Sequence, residues 1–272
     1  MKKTLDKSFN LFTLALTVLV LILLPMTACA EKHHNHGIPH GKGQSLSANQ
    51  RVNIYPSNGI IHWKGLDWCV YTDRSDPGNN YWNDQGVWVD NQNRLHLTII
   101  NNGGKWYCSG LETVDKYTYG TFTWTVASPV YTFDKNSVLG LFTYRDDNNE
   151  LDIEPSRWGF EDDTNLDYTV QPFEVKGNER TYKVTGTDGV NTTYRIEWKP
   201  TYIKFSSKQN GKVINEWNYT KTSSIPKTSQ NACMNLWLIK PPSDGKNIEC
   251  IISDFSYTPY NNTLEGLHTS LF

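Results

Sequence analysis

Glu150-Leu151-Asp152-Ile153-Glu154 alternates acidic and apolar residues without a break. Successive side chains of a β-strand point to opposite faces. Glu150, Asp152 and Glu154 therefore share one face, while Leu151 and Ile153 turn toward a core. Three carboxylates in a row repel one another, and burying any of them unpaired is costly. A solvated, half-buried strand would account for the pattern, since one polar face is ordinary in an antiparallel sheet. The other account is that the repulsion has a use.

The chemistry that would use it is glycoside cleavage. A retaining glycosidase needs one carboxylate to attack the anomeric carbon and one carboxylic acid to protonate the leaving oxygen, with the two groups about 5–5.5 Å apart. Residues i and i+4 of a straight strand lie about 13 Å apart at Cα, so the side chains must lean together over a curved sheet. A third acid between them, Asp152, can hydrogen-bond the nucleophile and keep the partner acid protonated through like-charge repulsion.

The chain has 272 residues and a formal net charge of −2. That near-neutral balance excludes nucleic acid and an anionic membrane surface as electrostatic partners. Ten Trp, fifteen Tyr and many Thr and turn residues favour strands over helices. Aromatic residues at this density serve as core and cross-strand pairs, and also as stacking platforms for sugars.

The N-terminus reads as an export signal over residues 1–29. Lys2 and Lys3 form a basic start, and Leu11 to Leu24 is an apolar run short for a bilayer span. Met26-Thr27-Ala28-Cys29 looks like a bacterial lipobox, which predicts a lipidated Cys29, with the membrane touched only through that anchor. Ala28-Cys29-Ala30 also fits ordinary signal cleavage. Residues 30–50 read as a flexible linker. Its His33, His34, His36 and His40 could hold a metal loosely, but a solvated tether is the simpler reading.

Without Cys29, four cysteines remain in an oxidising compartment: Cys69, Cys108, Cys233 and Cys250. Three connectivities are open. The expectation is Cys69 with Cys108 and Cys233 with Cys250. No two lie at the spacing of a zinc site, and no metal site is expected.

Residues 51–272 read as one domain of short strands, a two-sheet β-sandwich. Leu95, Leu97 and Ile99 alternate with polar residues, as do Phe122, Trp124 and Val126. Asn102-Gly103-Gly104, Asp188-Gly189 and Asn210-Gly211 mark turns between the runs.

The order of these segments resembles glycoside hydrolase family 16 over roughly residues 60–260. Cys108-Ser109-Gly110-Leu111-Glu112-Thr113 and Lys116-Tyr117-Thr118-Tyr119-Gly120-Thr121-Phe122 resemble the strand pair before the family's catalytic strand. Gly140-Leu141-Phe142-Thr143-Tyr144 followed by Glu150 to Glu154 resembles the catalytic segment. Trp198-Lys199-Pro200-Thr201-Tyr202-Ile203-Lys204-Phe205 and Met234-Asn235-Leu236-Trp237 resemble two later strands.

The resemblance implies an all-β, concanavalin-like jelly roll with a concave glycan-binding cleft. It also implies endo-hydrolysis of a β-linked polysaccharide with retention, by a monomer that requires no cofactor. Glu150 would be the nucleophile, Asp152 the assisting carboxylate and Glu154 the acid/base. Lichenases have a disulfide ending at a cysteine placed like Cys108, which agrees with Cys69–Cys108. A structural calcium is a family feature that no ligand cluster here places.

Where lichenases have Cys-x-Glu-x-Arg, this chain has Cys108-Ser109-Gly110-Leu111-Glu112, leaving Glu112 as a cleft candidate and weakening the case for mixed-linkage glucan. Pro155 should end the catalytic strand. Arg157 is a candidate partner for a carboxylate, and Trp158 a sugar-stacking platform. Tyr168 and Gln171 are cleft candidates on the next strand, but strand parity allows only one of them to face it. Trp237 shares a face with Cys233 and serves either core or glycan. A transglycosylase on the same scaffold and a silent carbohydrate-binding protein are the alternatives.

Overall fold

The computed structural model describes residues 53–161 and 164–261. The export signal, Cys29 and the linker expected over 30–50 lie outside the described residues. The first nine strands are β1 (Ile60–Trp63), β2 (Leu66–Val70), β3 (Asp73–Ser75), β4 (Asn80–Trp82), β5 (Val87–Val89), β6 (Leu95–Asn102), β7 (Lys105–Tyr117), β8 (Gly120–Val126) and β9 (Ser137–Asp146). The rest are β10 (Asn149–Glu154), β11 (Leu166–Val170), β12 (Glu179–Tyr182), β13 (Thr192–Trp198), β14 (Ile203–Gln209), β15 (Lys212–Tyr219), β16 (Gln230–Leu238) and β17 (Ile248–Pro259).

Hydrogen bonding sorts fifteen of these strands into two antiparallel layers, while β3 pairs with β4 and β4 runs parallel to the start of β7. One has eight strands in the order β1-β2-β7-β16-β9-β10-β11-β12. The other has seven, β5-β6-β17-β8-β13-β14-β15. This is the two-sheet jelly-roll sandwich expected from the sequence. The layers join at one end, where β6 pairs with the start of β7 around Gly103-Gly104. Both glycines have positive φ, 60° and 85°, the mirror-image turn that matches strand twist and that glycine adopts without penalty. The last two strands, β16 and β17, sit in the interior of their sheets rather than at an edge.

Alternation builds the core between the layers. Phe122, Trp124 and Val126 on β8 and Tyr194, Ile196 and Trp198 on β13 are fully buried, and the residues between them are not. Trp68 and Trp124 meet Phe255 at 5.0 and 5.5 Å between ring centroids. Tyr168 of the eight-stranded sheet stacks on Phe205 of the other at 5.5 Å. Each large apolar side chain buried this way contributes about 1.5–3 kcal/mol.

The cysteine pairings do not form: Cys108, Cys233 and Cys250 are buried free thiols. Strand register explains this. Cys69 lies opposite Glu112, four residues along β7 from Cys108, a gap of about 13 Å that no disulfide spans. Cys233 is opposite Phe142 in the eight-stranded sheet, whereas Cys250 is opposite Leu97 in the other, and packed sheets stand about 10 Å apart. Burial raises all three thiols, Cys108 to about 12, leaving sulfur as apolar filling.

Candidate active site

β10 has its apolar residues in the core: Leu151 and Ile153 are fully buried. Glu150, Asp152 and Glu154 therefore lie on the concave face of the eight-stranded sheet. The strand ends at Glu154, before Pro155. A register shift between Asn149 and Glu150 marks a bulge, the kind of irregularity that re-aims a side chain.

Register names the rest of the floor. Glu150 faces Tyr144, and Asp152 faces Phe142 on one side and Thr169 on the other. Glu154 is opposite Asp167. Beyond Phe142 come Cys233 and then Glu112; beyond Gly140 come Asn235 and Gly110. The two glycines make room. Asn235 accepts the Gly140 N–H at 3.1 Å, and a Cβ at Gly140 would collide with that amide oxygen. A Cβ at Gly110 would collide with the Tyr71 ring.

Asp152 is 3 % exposed. It accepts the Gln171 side-chain amide at 3.0 Å and shares a hydrogen bond with Glu150. Gln171 is fixed at both ends: its backbone N–H donates to the Glu150 carbonyl and its side-chain oxygen accepts from Phe173 N–H at 2.9 Å.

Burial pushes Glu150 up to about 8; the Asp152 hydrogen bond opposes this, while Glu154, Asp147 and Asp146 add to it. Asp152 stands well above the usual carboxylate range through burial and then the Glu150 charge. Glu154 is raised well above it by burial and then by Asp152, Asp167 and Glu179. Burial lifts Glu112 to about 7 against the pull of Lys116. Glu150 and Glu154 keep part of their surface open, yet they line a floor walled by side chains and other acids, which supports the upward direction. Protonated Asp152 can donate to Glu150, leaving charge on Glu150 and a proton on Glu154.

The remaining sequence candidates separate. Gln171 is on the concave face, and Tyr168 is not. Tyr168 is fully buried in the core with its hydroxyl 2.5 Å from Ser207 Oγ, because residues three apart on an extended chain point to opposite sides. Arg157 does not reach the acids: among the described residues its guanidinium donates to the carbonyls of Phe133 (2.7 Å) and Glu161 (3.3 Å). It clamps a loop.

Trp158, at φ 50°, is half-buried, and its indole N–H donates to Asp167. Its ring meets Trp237 edge-on at 5.9 Å, and Trp237 is 6 % exposed. Glu112 faces the floor beside Cys233. Sequence reading passed over Asp167, Tyr71, Gly110 and Gly140 as site residues. Only strand register, or the glycine in each floor strand, could have pointed to them. Among the described residues no group of three His, Cys, Asp or Glu side chains could hold a metal ion. A hollow of about 400 Å³ lies on the outer face of the seven-stranded sheet, lined by Thr121, Thr123, Thr193, Arg195 and Lys208. No acid lines it.

No family model matches the chain. A β-glucanase of Paenibacillus polymyxa is 26% identical over 167 residues, 58% of this chain. The match spans 65% of that relative's length. Among solved structures, the β-glucanase of Bacillus licheniformis superposes with a TM-score of 0.57 at 19% identity, over 75% of this chain and 94% of that one. A β-1,3-1,4-glucanase (lichenase) derived from a mouse hindgut metagenome gives 0.56 at 19% identity, over 76% and 96%. A glycoside hydrolase family 16 endo-glucanase from Bacteroides ovatus, solved in complex with G4G3G-2F-DNP, gives 0.55 at 12% identity, over 73% and 97%. The chain thus has the jelly-roll fold of solved β-glucanases, family 16 glycoside hydrolases among them.

Proposed function

We propose that this protein is an exported glycoside hydrolase of family 16 that cleaves internal bonds of a β-glucan with retention of configuration. The observation that carries the reading is the constellation on β10: Glu150 and Glu154 flank Asp152 on one concave face, and Asp152 is hydrogen-bonded to Glu150 and held by Gln171. Glu150 attacks the anomeric carbon as Glu154 gives its proton to the departing oxygen. Glu154 then takes a proton from the water that releases the sugar, so one residue serves as acid and base in turn. The hydrogen bond from Asp152 weakens as charge leaves Glu150 in the attack and strengthens again as the sugar is released. Side-chain carboxyls suffice for these steps. Export, and anchoring through a lipid on Cys29, belong to the same proposal and rest on residues 1–29; the enzyme acts as a monomer.

The test is release of reducing ends from β-1,3-, β-1,4- and mixed-linkage glucans, xyloglucan and galactan. At least one glucan is hydrolysed, with the β-anomer as first product by NMR, and Glu150→Gln lowers turnover by about 10³-fold or more while keeping the fold. A folded wild type that releases nothing from any polymer would overturn the reading. So would a Glu150→Gln variant with near-normal turnover.

A further inference from the structure

Directly across the sheet from Glu154 stands another acid. Asp167 is its in-register partner on β11, and residues so placed have Cβ atoms about 4.5–5.5 Å apart, a position where like charges are destabilising. Asp167 is only 3 % exposed, so water does little to screen it.

The two acids are not equivalent. An indole N–H can only donate, and that of Trp158 donates to a carboxyl oxygen of Asp167. A donated hydrogen bond favours the charged form of the acid that receives it. Trp158 is itself held: its backbone N–H goes to Ser156 Oγ at 3.0 Å, and its ring abuts Trp237. No donor among the described residues reaches the Glu154 carboxyl.

Among the described residues, the charged groups that face Glu154 are Glu150 and Asp152 on its own strand, Asp167 on β11 and Glu179 on β12. All four are acids. Toward β9 and β16 the floor is Gly140 and Asn235, which carry no charge. When the pair holds one proton, the indole draws the negative charge to Asp167 and the proton to Glu154.

We infer that Asp167, held as a carboxylate by the Trp158 indole, is a positioning residue that keeps Glu154 protonated and neutral. The inference rests on reading Glu154 as the acid, and it goes beyond that reading by naming the pair that sets its protonation.

The test uses Asp167→Asn, whose amide oxygen still accepts from Trp158, so packing is preserved. In protein labelled with carbon-13 at the Glu carboxyls, with the Glu154 signal identified by Glu154→Gln, Asp167→Asn lowers the Glu154 midpoint by about one pH unit or more. The alkaline limb of kcat/KM falls by a like amount. Trp158→Phe moves the Glu154 midpoint in the same direction, which keeps the test available if the first variant folds poorly. A Glu154 midpoint that stays put in both variants would overturn the inference and leave Asp167 a support for the Trp158 loop. Titration is read without substrate, so an enzyme inactive on every glucan would sink the proposed function while still deciding the role of Asp167.

Discussion

On the outer face of the seven-stranded sheet, acids meet cations. Glu197 lies 3.1 Å from Arg195 and 3.5 Å from Lys199, and it accepts the Tyr202 hydroxyl at 2.7 Å. Glu216 is 3.1 Å from Lys204 across the ladder. Burial pushes Glu197 up, but Tyr202, Arg195 and Lys199 outweigh it and leave that carboxyl below its ordinary value. On the concave face of the other sheet, Glu112, Glu150, Asp152, Glu154 and Asp167 crowd together, and Lys116 is the cation that tempers one of them. Both faces come from the same alternation of side chains. One sets its acids against cations, the other sets acids beside acids, and only the second arrangement raises proton affinity enough for acid catalysis at neutral pH. Sites of this kind give up stability for function.

The contrast can be broken by substitution. The largest effect falls on the crowded floor. Gly140→Ala should cost about 2–3 kcal/mol of unfolding free energy, because the added methyl meets the Asn235 amide. A denaturant midpoint within error of wild type would show that the floor has slack.

Next comes the sign of pH dependence. Glu112 is raised to about 7, so its contribution to stability is full below about pH 4.5 and is lost as pH rises through 7. Glu197 is lowered, so its contribution is present above about pH 4.5 and is lost as pH falls below it. Glu112→Gln should therefore gain about 1 kcal/mol over wild type between pH 5 and 8, while Glu197→Gln loses stability at pH 7 and recovers it toward pH 3. Melting curves across that range check both, and parallel profiles would erase the distinction between the faces.

The smallest effect is Lys204→Met. It removes a partner from an exposed pair and should stay within about 0.5 kcal/mol by chemical denaturation. A larger loss would mean that the outer ladder does more than dress the surface.

The acidic strand was legible because alternation is local: Leu151 and Ile153 announce which side of β10 is buried. Parity likewise allowed only one of Tyr168 and Gln171 into the cleft, but which one depended on knowing the face of β11. The cysteine pairings failed for the opposite reason. Partners in a disulfide are fixed by register between distant strands, and spacing along the chain carries none of it. Asp167 escaped notice on the same ground, since nothing in Leu166-Asp167-Tyr168 says that Glu154 stands across from it. Arg157 followed the loop after Pro155 toward backbone carbonyls, a destination that no periodicity encodes.

The late strands carry one more consequence. Since β16 lies between β7 and β9, and β17 between β6 and β8, each layer is in two pieces until residues 230–259 exist. Cys233 must find Glu112 across more than a hundred residues of chain, the long-range pairing that makes such topologies slow to fold. A ribosome working on this message therefore extrudes an open thread until those residues have emerged, and only then can the layers close.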